Sequence, residues 1–319
     1  MSAAVVGARP VRGRLATAVA EGRFAVTAEL TPPKGADTAA LRRAAALLAP
    51  HVHAVNLTDN AGAVVRLASW AAAVAVAEEG VEPVVQLQCR DRNRLALQSD
   101  LLGAAALGIP NVLLLTGDHQ SAGDEPGAAG VFDLDALTLI ETAARLRDEG
   151  RLGSGAALSS PPRWLIGAVE NPAAPPLAFR PERAARKVAA GAQFLQTQFV
   201  FDVPLFAEFL GRLGDLGALE RCAVLAGVGP VRSRRMLERL RHGIPGVVVP
   251  PSFAARFDGV PDARFAEAGI AYCAETVAAL RSLPGIGGIH LMAFSWEEAI
   301  VEVLERVGLA AREPEAVAQ

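Results

Sequence analysis

Short apolar runs recur along the chain, and each is bounded by glycine, proline or polar residues. Eight of these runs contain the β-branched and bulky apolar residues that favour buried strands. The stretches between them are rich in alanine, leucine and arginine and have a helical period, as in residues 38–49, 92–108 and 135–150. The runs that predict strands span residues 24–30, 53–57, 83–88, 111–115, 164–169, 194–199, 222–227 and 288–293.

Strands that alternate with helices predict a parallel sheet. The first four runs start about 30 residues apart, which is the length of one strand–helix unit. Eight such strands favour an α/β fold of the closed (β/α)8 TIM barrel type. A doubly wound open sheet is the alternative, although no Gly-x-Gly-x-x-Gly motif follows the first strand.

We predict a single barrel domain over residues 23–310, preceded by an N-terminal arm and helix over residues 1–22. Residues 311–319 are predicted to form a disordered tail. The run GVVVPP at 246–251 interrupts the strand count. We interpret it as a short extra strand or the start of a helix, within an extra segment that precedes strand eight.

The composition argues against several classes of protein. Hydrophobic residues make up 51% of the chain and charged residues 20%, which is typical of a soluble globular protein. The net charge of −3 provides no basic field for nucleic acid. No apolar stretch of about 18 residues predicts a membrane span. The N-terminus lacks a signal-peptide core followed by a cleavage signal, so we expect a cytoplasmic protein.

The cysteines and histidines do not predict a metal site. Cys89, Cys222 and Cys273 form no C-x-x-C pair, so neither a zinc site nor a disulfide framework is expected. His51 and His53 form a His-x-His pair, but it precedes strand two, at the face opposite the expected active site. No histidine base is evident beside Cys89, which favours a buried thiol over a nucleophile.

Active sites of barrels of this type lie at the C-terminal ends of the strands. Polar residues in the turns there are expected in any barrel, but glutamate and glutamine inside apolar strands are not. Burial of such groups without partners costs a few kcal/mol each. We therefore interpret this set as functional: Glu29, Gln86, Gln196 and Gln198. Further polar candidates at the strand ends are Thr58, Asp59, Thr116, Gly117, Asp118, Glu170 and Asn171.

Seven segments, taken in order, resemble the methylenetetrahydrofolate reductase family. Each segment alone is weak, but the ordered set on the predicted strand ends is specific, and it spans about Phe24 to Leu309. The segments are AELTPPKG (28–35), NLTDN (56–60), QLQCRDRNR (86–94), LLTGDH (114–119), ENP (170–172), RKVAAGAQFLQTQFVFD (186–202) and GIHLMAFSWEE (288–298). The pieces CRDRNR (89–94) and MAFSWEE (292–298) are similar to a branch of the family found in acetogens and in methyltransferase fusions.

The resemblance implies a (β/α)8 barrel that carries FAD at the strand ends. Family members reduce 5,10-methylenetetrahydrofolate to 5-methyltetrahydrofolate with NADH or NADPH, which use the same flavin face in turn with the folate. By matched position, Glu29 is the general acid that helps open the methylene bridge, and Asp118 lies near the flavin pyrimidine. Gln198 is matched to the glutamine that hydrogen-bonds the pterin. The activity belongs to one-carbon metabolism and methionine biosynthesis.

The resemblance also implies a set of cofactor-binding residues and possible partners. Arg186 and Lys187 are matched to positions that could hold the pyrophosphate. A homo-oligomer is expected, because family members are often dimers or tetramers, and no metal, nucleic acid or membrane is implied. The full cofactor-binding set is Thr58, Asp59, Gln86, Thr116, Gly117, Asp118, Glu170, Asn171, Arg186 and Lys187.

The chain departs from the family pattern at several flavin or substrate contacts. Gln86 stands where many members have histidine, Thr116 where many have arginine, and ENPAAPP replaces a Tyr-Pro-Glu motif. Arg234 lies near the place of a stacking phenylalanine, so Phe294 or Trp296 would have to provide that stacking. Two alternatives therefore stay open: direct hydride transfer without flavin, or a folate-binding subunit that needs a partner protein for electrons.

Two basic runs have open interpretations. The run RDRNR at 90–94 could clamp the glutamate tail of folate or the phosphates of FAD, or it could be a solvated helix start capped by Asp91. The run RSRR at 232–235 could bind phosphate or carboxylate, but a surface face is favoured.

Overall fold

The computed structural model describes residues 13–244 and 246–309. Eight parallel strands close into a barrel in chain order, and the last pairs with the first. The predicted TIM barrel is therefore confirmed, with strand boundaries within two residues of those predicted. The strands are β1 (Ala25–Leu30), β2 (Ala54–Leu57), β3 (Pro83–Gln88), β4 (Asn111–Leu115), β5 (Leu165–Glu170), β6 (Phe194–Phe199), β7 (Ala223–Val228) and β8 (Gly288–Leu291).

Helices surround the barrel and fill the predicted extra segment before β8. They are α1 (Arg14–Ala20), α2 (Ala39–Leu48), α3 (Ser69–Ala77), α4 (Arg94–Ala106), α5 (Ala136–Asp148), α6 (Arg180–Ala189), α7 (Val203–Asp215), α8 (Arg234–His242), α9 (Pro251–Ala255), α10 (Asp262–Arg281) and α11 (Glu297–Arg306). The predicted arm before α1 and the predicted tail lie outside the described residues. The GVVVPP run forms no strand, because its second proline starts α9, where proline at the first helical position lacks only a donor that the helix does not use.

The lower part of the barrel interior is apolar and closed by α1. Side chains alternate in and out along each strand, and the inward residues of the lower layer pack against Leu15, Ala16 and Ala18 of α1. The ring of Phe194 fits there because Gly167 has no Cβ, which would lie 2.1 Å from the ring. The lower layer comprises Ala25, Ala54, Val84, Leu113, Leu165, Phe194 and Leu225.

A buried carboxylate fixes α1 beneath the barrel. Glu82 accepts hydrogen bonds from the backbone N–H groups of Arg14 and Leu15, at 2.5 and 3.3 Å, and from the amide of Asn111 at 2.6 Å. A carboxylate at a helix N-terminus satisfies donors that have no partner within the helix. The floor is therefore sealed, and ligands have access from the C-terminal ends of the strands.

Candidate active site

A buried polar layer lies directly above the apolar floor. Asn56 on β2 and Gln196 on β6 form a two-way amide pair, with N–O distances of 2.6 and 3.1 Å. Gln196 also donates to the hydroxyl of Thr27 on β1 at 3.0 Å, and that hydroxyl lies 3.0 Å from Nδ1 of His290 on β8. The amide of Gln196 is thus satisfied within the barrel, which gives it a structural explanation and makes it the least suited of the buried glutamines to a ligand.

Glu29 is the next inward residue of β1 and lies between this layer and the mouth. Its side chain is 25% exposed, and its Oε2 lies 3.8 Å from Nε2 of His290. Glu29 can therefore meet a ligand from above, and His290 lies below it. His290, Thr27 and Asn56 were not singled out from the sequence. Each nevertheless stands at an inward position of its strand, where inward residues recur every two positions.

Three polar side chains near the mouth have atoms that the described residues leave unsatisfied. The hydroxyl of Thr58 is buried and has no hydrogen-bond partner. Gln198 accepts a hydrogen bond from the N–H of Phe199 at 2.9 Å, and no described group accepts from its Nε2. Gln86 is 7% exposed, and its side-chain amide has no described partner. Because buried polar groups normally have partners, these atoms mark where a polar ligand would be satisfied.

The ends of β2 and β3 are held by a buried ion pair. Both terminal nitrogens of the Arg92 guanidinium donate to the Asp59 carboxylate, at 2.7 and 3.1 Å. Arg92 also pairs with Asp100 at 2.8 Å. Burial raises the pKa of Asp59, an effect that the bonds from Arg92 partly offset. Asp59 also accepts from the N–H of Gln88 at 3.1 Å. The structure therefore explains Asp59 as part of the framework of the mouth.

Arg90 and Arg94 extend this framework to the β4 side. Arg90 is 2% exposed, pairs with Asp91 at 2.7 Å and donates to the carbonyl of Asp118 at 3.1 Å. Its bonds fix the backbone of Asp118, whose side chain is exposed. Arg94 pairs with Asp133 at 2.7 Å, and these hydrogen bonds lower the pKa of Asp133 to about 2.

The basic run at 90–94 is consequently not a free clamp, although Arg94 at the start of α4 is exposed. Its three arginines are all engaged by aspartates, and the residue that caps α4 is Asn93, which accepts from the N–H groups of Leu95 and Ala96. The expectation that Asp91 caps this helix is wrong, because Asp91 is drawn to Arg90 instead.

Packing accounts for Thr116 and Gly117. The Thr116 hydroxyl accepts from the N–H of Ala136 at 3.1 Å and so anchors the start of α5. Gly117 has a φ of +91°, and a Cβ there would lie 2.3 Å from Oε1 of Gln88. The chain therefore needs glycine at this strand end whether or not a ligand binds.

Glu170 and Lys187 form a buried ion pair outside the barrel. Glu170 points toward α6, and its Oε2 lies 2.8 Å from Nζ of Lys187; the side chains are 1% and 5% exposed. Burial lowers the pKa of Lys187, while Glu170 opposes that shift. The neighbouring Arg186 is exposed beside the ring of Phe179 at 5.6 Å. Lys187 is thus occupied within the fold while Arg186 is exposed, and the pyrophosphate contact of these two residues stays a prediction.

The chain after β5 is tied to the segment before α9. The amide of Asn171 donates to the carbonyl of Gly246 at 2.6 Å, which joins two loops at the C-terminal face. Beside them is a small apolar cleft, lined by Pro172, Phe199, Phe201 and Val248 among others. Asn171 thus helps shape the mouth.

Aromatic residues follow β8, which ends at Leu291, before the point predicted. Phe294 is 40% exposed, has a φ of +52° and stacks on Phe199 with ring centroids 5.8 Å apart. Trp296 is partly buried, with the guanidinium of Arg232 5.5 Å from its ring. Arg234 instead lies over Phe265, so it does not fill the place of a stacking residue at the mouth.

Other chemical groups give no competing site within the described parts of the chain. All three cysteines are buried, and burial raises the pKa of Cys89 to about 12, which opposes a nucleophilic role. No described cluster of three histidine, cysteine or carboxylate side chains could hold a metal ion. Among residues 13–244 and 246–309, no helix is long and apolar enough to cross a membrane.

Comparison with known proteins gives consistent results. A probable methylenetetrahydrofolate reductase (NADH) from Oryza sativa subsp. japonica is 25% identical over 239 residues, which is 72% of this chain and 38% of that protein. Methylenetetrahydrofolate reductase (NADH) 1 from Zea mays is 24% identical over the same shares. This chain therefore spans about two-fifths of the length of these curated relatives.

A solved structure supports the fold. An uncharacterized Clostridium thermocellum protein, described as binding two copies of 5-methyl-5,6,7,8-tetrahydrofolic acid, superposes with a TM-score of 0.65. It is 13% identical and covers 93% of this chain and 98% of its own. The family model for methylenetetrahydrofolate reductase matches residues 14–308. With nearly the whole barrel matched, the chain belongs to the methylenetetrahydrofolate reductase family.

Proposed function

We propose that this chain reduces 5,10-methylenetetrahydrofolate to 5-methyltetrahydrofolate, with NADH or NADPH as the hydride source and FAD as carrier. The observation that carries the proposal is Glu29, a partly exposed carboxyl that His290 contacts from below at 3.8 Å. Gln198, on another strand of the same barrel, keeps its amide donors free for a pterin. The family match and the folate-binding structural neighbour support this substrate.

Glu29 would act as the general acid. Opening of the methylene bridge breaks its bond to one folate nitrogen, which must receive a proton, and leaves an iminium at the other. Glu29 donates that proton, and hydride then adds to the iminium carbon to form the methyl group. Gln198 orients the pterin by donating from Nε2, and Asp118 faces the mouth with its backbone held by Arg90.

The residues present fit FAD at its ring. The buried hydroxyl of Thr58, the free amide of Gln86 and the exposed Asp118 are polar groups that a flavin edge would satisfy. When bound, FAD supplies a carrier that accepts hydride from the nicotinamide and delivers it to the folate. Thr116, Gly117, Glu170 and Asn171 would shape that site through the backbone positions they hold.

Fewer side chains are available to bind the diphosphate of FAD than to bind its ring, and this favours a second candidate function. Lys187 is engaged by Glu170, and Arg90, Arg92 and Arg94 are engaged by aspartates. With these four cations engaged, the site suits a dinucleotide that binds transiently better than one that is retained, which favours direct hydride transfer from NADH to the same folate. In that case Glu29 keeps its role.

A visible absorption spectrum of the purified protein, recorded before and after soaking with FAD, tests these functions. Flavin bands that NADH bleaches and methylenetetrahydrofolate restores would support the flavin-dependent reaction. A colourless protein that consumes NADH with the folate would support direct transfer. A colourless, inactive protein that still binds folate would point to a partner protein for electrons, and loss of folate binding would refute the proposal.

We also propose a homo-oligomer in the cytoplasm, on the resemblance to the family. Light scattering of the purified chain gives its mass in solution. A monomer at micromolar concentration would refute this part of the proposal without affecting the reaction.

A further inference from the structure

The hydrogen bonds of the buried polar layer have a direction, and they lead toward Glu29. The amide of Gln196 donates to Oδ1 of Asn56 at 3.1 Å and to the hydroxyl of Thr27 at 3.0 Å. Its Oε1 accepts from the amide of Asn56 at 2.6 Å. A side-chain amide has two donor hydrogens, so both donors of Gln196 are used within the layer.

The hydroxyl of Thr27 determines which nitrogen of His290 carries a proton. Thr27 accepts from Gln196, so its own hydrogen is available to Nδ1 of His290, at 3.0 Å. The other acceptor within reach, the carbonyl of Ile289, is more distant, at 3.4 Å. In a neutral imidazole one nitrogen accepts and the other donates. The hydrogen-bond network therefore assigns the proton of His290 to Nε2.

Nε2 of His290 lies beside the carboxyl of Glu29. The two side chains are 4% and 25% exposed, and Nε2 is 3.8 Å from Oε2 of Glu29. No other described group forms a hydrogen bond or an ion pair with Nε2. The distance is longer than a hydrogen bond, but catalytic hydrogen bonds are often long in a site without ligand and shorten in the complex. A buried N–H donor is thus placed beside one of the two carboxyl oxygens.

We infer that His290 is a positioning residue that determines which oxygen of Glu29 carries the proton for the folate. This inference rests on the proposed function. A donor beside Oε2 favours the form of the carboxyl in which Oε2 accepts and Oε1 carries the proton. As the C–N bond of the methylene bridge breaks, its electron pair stays on the folate nitrogen and takes the proton from Oε1. Glu29 is left as a carboxylate, and the N–H of His290 stabilises its charge.

The opposite tautomer of His290 would work against this proton transfer. A bare Nε2 would accept the proton of Glu29 and hold it on Oε2, on the side away from the mouth. Thr27 opposes this arrangement through its bond to Nδ1, although it forms no hydrogen bond with Glu29 in the described structure. An apolar layer at this level, like the floor beneath it, would leave the tautomer undetermined.

The first test observes the tautomer directly. Ring nitrogens with and without a proton give separate signals in heteronuclear NMR, and the chain has five histidines. The protein is labelled in its histidine rings and measured at mildly alkaline pH, where an ordinary histidine is neutral. His290→Gln identifies the signals by their loss. We expect a proton on Nε2 and none on Nδ1, both without ligand and with 5-methyltetrahydrofolate. A proton on Nδ1, alone or together with one on Nε2, would overturn the inference.

The second test links the tautomer to the rate. Thr27→Val removes the hydroxyl at nearly constant shape, whereas Thr27→Ser retains it. Thr27→Val should give a mixture of tautomers and lower the rate of folate reduction at saturation about tenfold to a hundredfold, as loss of an orienting partner does elsewhere. Affinity for 5-methyltetrahydrofolate should stay within about threefold. Thr27→Ser should keep the tautomer and most of the rate, and the control His242→Gln, on the exposed face of α8, should change neither.

The outcomes separate this inference from the proposed function. Equal losses of rate in Thr27→Val and Thr27→Ser would overturn the inference while the proposed function stands. So would a loss of folate affinity with an unchanged rate at saturation. If the wild type does not reduce the folate, the proposed function fails, and the inference fails with it. The wild-type spectrum decides the position of the proton even if Thr27→Val does not fold.

Discussion

The two sides of the barrel mouth use charge differently. At the ends of β2, β3 and β4, Arg90, Arg92 and Arg94 are each satisfied by aspartates of the same loops. Toward β1, β6 and β8, Gln198 keeps a donor that no described side chain accepts, and the exposed Arg239 of α8 has only the Phe294 ring, at 5.9 Å, as a described contact. Glu29 on that side has His290 as its ionisable neighbour, at 3.8 Å. The first side is a framework, and under the proposed function the second faces the ligand. A count of charged residues would have chosen the wrong side.

The strongest way to test this comparison is to remove the acid on the ligand side. Glu29→Gln should lower the rate of folate reduction by about 10²- to 10⁴-fold, the usual contribution of a positioned general acid. Stopped-flow or steady-state assays with methylenetetrahydrofolate measure this loss, and oxidation of NADH by menadione should persist.

The matched control is Glu141→Gln, on the exposed face of α5. It should leave folate reduction unchanged. If Glu29→Gln keeps more than a tenth of the wild-type rate, Glu29 does not supply the proton.

The framework side should respond through stability. Asp59→Ala removes a partner from Arg92, whose side chain is 15% exposed, and should lower the free energy of unfolding by about 3 kcal/mol. Urea unfolding measures the change. Glu238→Ala, which breaks an exposed pair, should cost within about 1 kcal/mol. Equal losses for the two variants would contradict a structural role for the Asp59 pair.

Variants of the adjacent residues Lys187 and Arg186 on α6 can distinguish a structural role from a role in cofactor binding. Lys187→Ala leaves Glu170 buried without its closest cation and should cost about 3 kcal/mol of unfolding free energy. Arg186→Ala removes an exposed side chain and should cost within about 0.5 kcal/mol. Urea unfolding and the FAD content of each variant are measured together. Loss of FAD with unchanged stability in either variant would restore the predicted pyrophosphate contact.

The smallest expected effect is at Asp133, and it depends on pH. Its pKa is lowered from the ordinary 3.8 to about 2 by the hydrogen bonds from Arg94. A carboxyl with a lowered pKa in the folded state stabilises the fold above its unfolded pKa, and this contribution is lost as pH falls. Asp133→Asn should therefore be less stable than wild type at pH 6, and the difference should shrink between about pH 4 and pH 2. A difference that stays constant over this range would contradict the ion pair.

The sequence was sufficient for the barrel because its signal is local. Apolar runs such as 83–88 and 111–115 are buried on both faces in a parallel barrel, so they stand out against the helices between them. The GVVVPP run is also rich in valine, yet it forms no strand because its second proline starts α9. A closed barrel leaves no edge on which an extra strand could pair.

The types of residue in the candidate site could be predicted from the sequence, but their hydrogen-bond and ion-pair partners could not. Glu29 and Gln198 could be singled out because polar residues inside apolar strands are unusual, and their roles stay predictions. The role of Gln196 could not, because its partners Asn56 and Thr27 lie on strands 140 and 169 residues away in sequence. The partner of Lys187 was missed for the same reason. A lysine one turn from the end of a helix does not reveal that its ammonium faces a buried glutamate.

The α1 helix beneath the barrel has a consequence for how ligands enter and leave. Because Leu15 and its neighbours close the floor, the barrel interior is a pocket that opens at the C-terminal ends of the strands. Two molecules that must both enter this interior cannot pass each other there, so each must leave by the route it used to enter. Under the proposed function, an excess of either the nicotinamide or the folate should delay the other, and the rate would then be governed by departure as much as by chemistry.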